Sequence, residues 1–181
     1  MYFFLRRLYS LIPVFSLGLF LIAYCFMHSK ALGPGGPEAF EASVQNFRNF
    51  PFSAVWTWLV LLPLIPYFFH LITSVGPPAF PLRYWLYRPA GIAGILFLPL
   101  LFLEFPMNGA FYFAGMACLA FHFSQSLWHF LIQWGVTVSS YSRRASLIFC
   151  WILFALLMGV NGLMSLNSPP VLDFVRDHLF L

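Results

Sequence analysis

Charge is the scarcest property of this sequence, with 9 Lys and Arg and 5 Asp and Glu among 181 residues, 8% in all. A soluble globular domain devotes about a quarter of its residues to charge. A water-soluble fold is therefore excluded, and so is the basic stripe that a nucleic-acid surface requires. Cysteine is also sparse. Cys25, Cys118 and Cys150 form an odd set without paired or metal-ligand spacing, which argues against disulfides or a zinc site and for small buried hydrophobes. Neither Gly-x-Ser-x-Gly nor His-Glu-x-x-His occurs, so an intramembrane hydrolase is disfavoured. No internal repeat is evident.

What fills the chain instead is apolar. Hydrophobic residues make up 61%, including 24 Phe, 8 Tyr and 6 Trp, and the mean hydropathy is +0.85. So much apolar surface in so short a chain must face lipid or other spans, and aromatic rings anchor at membrane interfaces. The expected fold is all-α: one integral membrane domain, 1–181, built as a bundle of five transmembrane helices.

Arg6 and Arg7 precede an apolar run over about 9–27. It approaches the roughly 20 residues that cross a bilayer and no small-x-small cleavage site follows, so it reads as a span rather than a secretory leader. Lys30 to Phe50 is the one extended polar stretch. Gly33 to Pro37 turns the chain, and Phe40, Val44 and Phe47 at helical spacing predict a surface helix over about 38–48. The second span, about 52–75, holds Pro63, Pro66 and His70 and stops at Gly76-Pro77-Pro78. A loop carrying Arg83 and Arg88 leads to a third over about 89–105, where Gly91 and Gly94 offer a close helix contact. Glu104 to Gly109 forms a tight turn before the fourth span, about 110–135. Ser139 to Arg144 turns the chain again before the fifth, about 145–166, and Pro169-Pro170 precedes an amphipathic tail. Arg6, Arg7, Arg83, Arg88, Arg143 and Arg144 fall on one side, against Lys30, Arg48 and Arg176 on the other. The positive-inside rule then puts the N-terminus in the cytoplasm.

Among the five histidines, His28 and His178 lie at or beyond span ends. His70, His122 and His129 lie inside spans, where an ionisable side chain is costly unless it binds something. Each could simply hydrogen-bond a neighbouring helix. At 100° per residue, however, Gly115, His122, Ser126 and His129 share a face of the fourth helix that is mostly small or polar, as a porphyrin requires. His70 has Pro63, Pro66 and Ser74 about it. Two such helices can hold iron between imidazole nitrogens in a bis-histidine haem b. Spacing does not decide whether His122 or His129 is the fourth-span ligand. The two lie about 10.5 Å apart along the axis, at about 1.5 Å per residue.

Several features taken together resemble the cytochrome b subunit of succinate dehydrogenases and fumarate reductases. They are the five spans; Phe3, Arg6, Arg7, Leu8 and Ser10; the second span with His70; and Phe121-His122-Phe123-Ser124 through Leu127-Trp128, Trp134-Gly135, Thr137-Val138, Ser142 and Arg144. The likeness is to the single-polypeptide, five-helix, di-haem type that works with menaquinone, and it covers about residues 2–165. It implies His70 and His122 as axial ligands of the haem nearer the cytoplasm, with His129 as runner-up. The family's second ligand pair would fall on the first and third spans. Here Tyr24 and Leu101 stand in those places, and Tyr9 replaces a usual His. One haem b is therefore expected. His28 with Met107 is the other conceivable distal pair.

The resemblance further implies a subunit of respiratory complex II in the bacterial inner membrane, serving the tricarboxylic acid cycle. It would dock an FAD flavoprotein and an iron-sulfur protein and pass electrons between succinate and quinone. The dicarboxylate chemistry would lie in the flavoprotein. Gly115 and Ser126 would border the haem, and Arg88, Arg143 or Arg144 would meet its propionates. Arg6, Arg7, Arg83 and Arg143 are candidates for docking, and Ser10, Tyr24, His129 and Gln133 for quinone. A haem-free structural anchor, or the cytochrome b anchor of another respiratory dehydrogenase, are the alternatives.

Overall fold

The protein, a computed structural model, is described over residues 2–31, 36–73, 82–102 and 109–167. Six helices account for almost all of this: α1 (Tyr2–Ala31), α2 (Gly36–Asn49), α3 (Ser53–Thr73), α4 (Leu82–Phe102), α5 (Gly109–Gln133) and α6 (Ser140–Asn167). Five are long and apolar, and α2 is the short amphipathic one. The protein is an all-α, multi-pass membrane bundle. The predicted turns at Gly76-Pro77-Pro78 and from Glu104 to Asn108, together with Ser74, Met107 and the C-terminal tail with His178, lie outside the described residues. So do the side chains of Arg6, His28, Phe40, Val44, Phe47, Arg48 and Arg83.

Three helix starts differ from those expected. The first helix begins at Tyr2 rather than Tyr9, and α4 at Leu82 rather than Pro89. Arg6, Arg7, Arg83 and Arg88 therefore sit on helices. Backbone hydrogen bonding continues through charged residues where they reach the membrane surface. The last helix begins at Ser140 rather than Ala145. Ser139 Oγ accepts from the Ser142 amide at 3.0 Å, an N-cap that starts the helix before the arginines. The preceding helix ends just as sharply. Gly135, at φ 73°, lets its own amide bond Ile132 O at 3.1 Å and the Val136 amide bond Leu131 O at 3.0 Å. Those two bonds satisfy carbonyls that the end of α5 would otherwise leave open.

In the bundle, α1 packs on α3 and α5, α4 closes the ring between α3 and α5, and α6 lies outside against α5. The consequence is a central α5. Its buried residues are Met116, Leu119, Ala120, His122, Ser124, Gln125, Ser126 and Trp128, a mixture of apolar and polar. Only 17% and 22% of the apolar stretches of α6 and α3 are buried, against 44% for α1. Apart from their contact faces, α3 and α6 present side chains such as Leu62, Ile65, Phe69, Ile148, Phe149 and Ile152 outward. In a bilayer those meet lipid, where burial in protein brings no hydrophobic gain.

Glycine lets two helix backbones meet. A Cβ on Gly94 would lie 3.0 Å from Leu119 Cδ2 and 3.2 Å from the Leu119 amide nitrogen, so α4 and α5 touch backbone to backbone there. The expected close helix contact at Gly91 and Gly94 is therefore made with α5.

Candidate functional site

His122 is fully buried. Its ring enters the face of α4 on which Tyr87, Gly91 and Gly94 recur at helical spacing. At Gly91 there is room for the ring only because no side chain is present: a Cβ there would fall 2.4 Å from His122 Cε1 and 2.6 Å from Nδ1. His122 Nδ1 lies 3.0 Å from the Tyr87 carbonyl oxygen, and the Tyr87 ring stacks on the imidazole at 4.4 Å between centroids. On the other nitrogen, Nε2 is 3.0 Å from the Tyr67 hydroxyl of α3. That hydroxyl is 2.8 Å from Tyr87 Oη, which is 3.1 Å from Ser126 Oγ. Four side chains from α3, α4 and α5 thus form one hydrogen-bonded loop, which leaves α5 at His122 and returns to it one turn later at Ser126.

Proton bookkeeping fixes the direction of that loop for a neutral imidazole. A carbonyl can only accept, so Nδ1 carries the ring proton and Nε2 keeps its lone pair. Tyr67 then donates to Nε2, Tyr87 to Tyr67 and Ser126 to Tyr87: three hydroxyl protons for three bonds. A nitrogen lone pair held at Nε2 by an Nδ1–H bond to a carbonyl is the arrangement in which histidines bind metal.

His70 lies beside this loop. Its ring centroid is 6.4 Å from that of Tyr67, and it stacks on Tyr9 of α1 at 4.3 Å with planes 12° apart. In the isolated chain it is exposed. Tyr67 therefore approaches both candidate ligands, since its centroid is 5.7 Å from His122. Arg88 is within Coulombic reach of His70. His129 is one turn beyond Ser126, its ring edge-on to Tyr87 at 5.4 Å and to Trp128 at 5.0 Å.

The remaining candidates separate between the two ends of the bundle. At the end bearing the N-terminus, Ser10 Oγ donates to Arg7 O at 2.7 Å, and Arg7 Nε donates to Gln133 O at 3.1 Å. The Arg7 guanidinium also lies 5.8 Å from the centre of Trp134. Gln133 Oε1 and Thr137 Oγ1 are buried with no hydrogen-bond partner among the described residues. Arg143 and Arg144 are exposed. Tyr24 belongs to the opposite end, where Tyr112 Oη donates to its hydroxyl at 3.2 Å, that hydroxyl donates to Asn161 Oδ1 at 3.4 Å, and Asn161 Nδ2 donates to Phe113 O at 3.4 Å. Leu101 is half-buried on the same half of α4. Gly115 does not border His122: its missing side chain admits the Phe97 ring, which a Cβ would meet at 2.3 Å.

Sequence reasoning missed Tyr67, Tyr87 and Asn161. Tyr67 stands three residues before His70 and so shares its face, and Tyr87, Gly91 and Gly94 repeat at one-turn spacing. Both signals were present, but a tyrosine in a span reads first as an interfacial anchor.

The chain is 28% identical, over 194 aligned positions covering 88% of it and 93% of the relative, to the succinate dehydrogenase cytochrome b558 subunit of Bacillus subtilis. It is a homologue of a succinate dehydrogenase cytochrome b subunit. No family model matches the chain. No solved structure matches it either. The homology extends over nearly all of both chains, so it takes in both His70 and the α4–α5 contact around His122. Among the described residues no group of three or more His, Cys, Asp or Glu is clustered to hold a metal ion. The donor set around Tyr67 is two imidazoles, a pair suited to iron already held by four porphyrin nitrogens.

Proposed function

We propose that this chain is the haem-bearing membrane anchor of a succinate:quinone oxidoreductase, with His70 and His122 as axial ligands of one haem b. One observation carries the reading: a fully buried imidazole whose Nδ1 faces the Tyr87 carbonyl, so that Nε2 carries the lone pair, in a homologue of a cytochrome b subunit. The residues fit the group in chemistry. His122 Nε2 is a neutral donor, and His70 lies across the Tyr67 ring contact from it. Arg88, one of the charges felt by His70, is the nearest cationic candidate for a propionate in this reading. Ser126 lines the same loop, and Arg143 and Arg144 are the further cationic candidates. For iron to reach Nε2, the Tyr67 hydroxyl must leave it.

Haem b held there supplies a one-electron carrier within the bilayer. The rest of the chain's part is positional. It anchors an FAD flavoprotein and an iron-sulfur protein at the face bearing Arg6, Arg7, Arg83 and Arg143, which in this reading is cytoplasmic, in a bacterial inner membrane. Ser10, His129 and Gln133 gather at that same face and are the proposed quinone contacts, with menaquinone as the quinone. Tyr24, at the other end, belongs to a separate polar cluster. Succinate oxidation itself takes place in the flavoprotein.

The test is purification of the full complex with a haem-to-protein count. One haem b per chain, together with FAD and iron-sulfur subunits identified by mass spectrometry, is the expected result. Hydrogenase or formate dehydrogenase subunits in their place would move the chain to another respiratory dehydrogenase. A specific observation favours the haem-free anchor as second reading: both ring nitrogens of His122 are already hydrogen-bonded within the chain. Absence of a Soret band would establish it.

A further inference from the structure

The tyrosines around His122 have no place in the account so far. Tyr67 is almost wholly buried, and both Tyr67 and Tyr87 direct their hydroxyls inward, although lipid-exposed tyrosines commonly turn theirs to the interface. Each contributes one proton to the loop, and all the protons run toward Nε2. The loop has no donor to spare. Were Nε2 protonated in a neutral ring, Nε2–H could donate to Tyr67 and the hydroxyl chain could run the other way, but Nδ1 would present a lone pair to the Tyr87 carbonyl. The bond to that carbonyl would be lost inside the bundle, where an unpaired buried polar group is costly.

Tyr67 is also the group of the loop that covers Nε2, and it can yield. Gly91 and the Tyr87 carbonyl belong to the α4 backbone, and Ser126 is on the same helix as His122. The Tyr67 side chain, by contrast, comes from α3 and can rotate about its own χ angles.

We infer that the groups around His122 form a positioning device: the Tyr87 carbonyl selects the tautomer with the lone pair on Nε2, and Tyr67, backed by the Tyr87 and Ser126 hydroxyls, caps that lone pair until iron takes its place. The second half of this rests on the cytochrome reading above, and the first half does not. Gly91 provides the notch that makes the arrangement possible, and Tyr87 supplies both the carbonyl and the stacked ring. Tyr67 is thus a positioning residue, neither a ligand nor a catalytic group.

Two measurements test this on the full-length chain, purified without haem from a host unable to make it. In the first, the histidines are labelled with 15N and the His122 signal is identified by its loss in His122→Ala. A neutral ring protonated at Nδ1 is expected. Protonation at Nε2 overturns the inference. In the second, ferric protoporphyrin IX is titrated into the wild type and into Tyr67→Phe, with thermal midpoints recorded for both. Removing the cap spares the bond that haem must break, so Tyr67→Phe is expected to bind about three- to tenfold more tightly. Ser126→Ala, which breaks the chain behind Tyr67, is expected to move affinity in the same direction by less. Equal or weaker binding by a folded Tyr67→Phe overturns the cap while leaving the cytochrome reading standing. No binding by either chain removes both.

Discussion

The rings of Tyr9 and His70 lie stacked, centroids 4.3 Å apart and planes 12° from parallel, and so join the start of α1 to the end of α3. Tyr9 stands where the cytochrome b resemblance has a histidine. It is partly buried against the core and packs flat on the His70 ring. An aromatic pair of this kind contributes about 0.5–1.5 kcal/mol beyond its buried area. Tyr9→Leu is therefore expected to weaken haem retention by up to about tenfold, and Tyr9→Phe to leave it near wild type. Haem loss to an apo-myoglobin acceptor measures both.

His122→Leu is expected to abolish haem binding. It also strips the acceptor from the Tyr67 hydroxyl and the donor from Nδ1's partner, so a stability loss of about 1–3 kcal/mol is expected even in haem-free protein. Absorption spectra and detergent unfolding midpoints, with and without haem, separate the two effects.

Gly91→Ala inserts a methyl group 2.4 Å from His122 Cε1 and 2.9 Å from Leu71 Cδ1. Neither neighbour is a free side-chain end in open space, so α4 must move away from α5. Overpacking of this kind costs about 1–3 kcal/mol. Gly162→Ala, with nothing within 4 Å, is expected to be neutral, and parallel unfolding curves provide the comparison.

Tyr24→Phe removes the acceptor of Tyr112 and the donor to Asn161 at the end of the bundle far from His122. Interhelical hydrogen bonds in membranes average about 0.6 kcal/mol, so a loss near 1 kcal/mol with unchanged haem content is expected. A double-mutant cycle with Asn161→Leu measures the coupling. A drop in haem content would place a haem at this end instead.

Gly135→Ala is a backbone experiment. Nothing lies within 4 Å of the position, but its φ of 73° is the left-handed region. About 1 kcal/mol of destabilisation is expected from conformation alone, with fraying of the end of α5 visible in amide exchange of Val136 and Thr137.

Much of the architecture was legible because bilayer thickness dictates the length of an apolar run. The five long helices fall over the five runs, and the surface helix over the one polar stretch. Helix starts were less legible. Pro89 was read as the beginning of a helix that starts at Leu82, and Arg143 as part of a turn that ends at Ser139, because proline and charge signal boundaries in soluble chains more strongly than at a membrane surface. His122 stood out as an ionisable group deep in an apolar run. Its partners did not, since the meeting of Tyr67, Tyr87 and Ser126 is decided by which helices are neighbours. Gly115 was misread for the same reason. Its position on the His122 face was correct, and the Phe97 ring that covers it belongs to another helix.

The early helix has late partners. Leu17 and Leu21 of α1 are buried, a Cβ on Gly18 would lie 3.3 Å from Phe123 Cε2 of α5, and Arg7 closes on the Gln133 carbonyl, 126 positions downstream. During synthesis α1 meets α2 and α3 first, and its partners on α5 come only after α4. A chain halted before α5 would therefore hold neither the clasp of Arg7 on Gln133 nor its buried imidazole, and one halted before α6 would leave Tyr24 without Asn161.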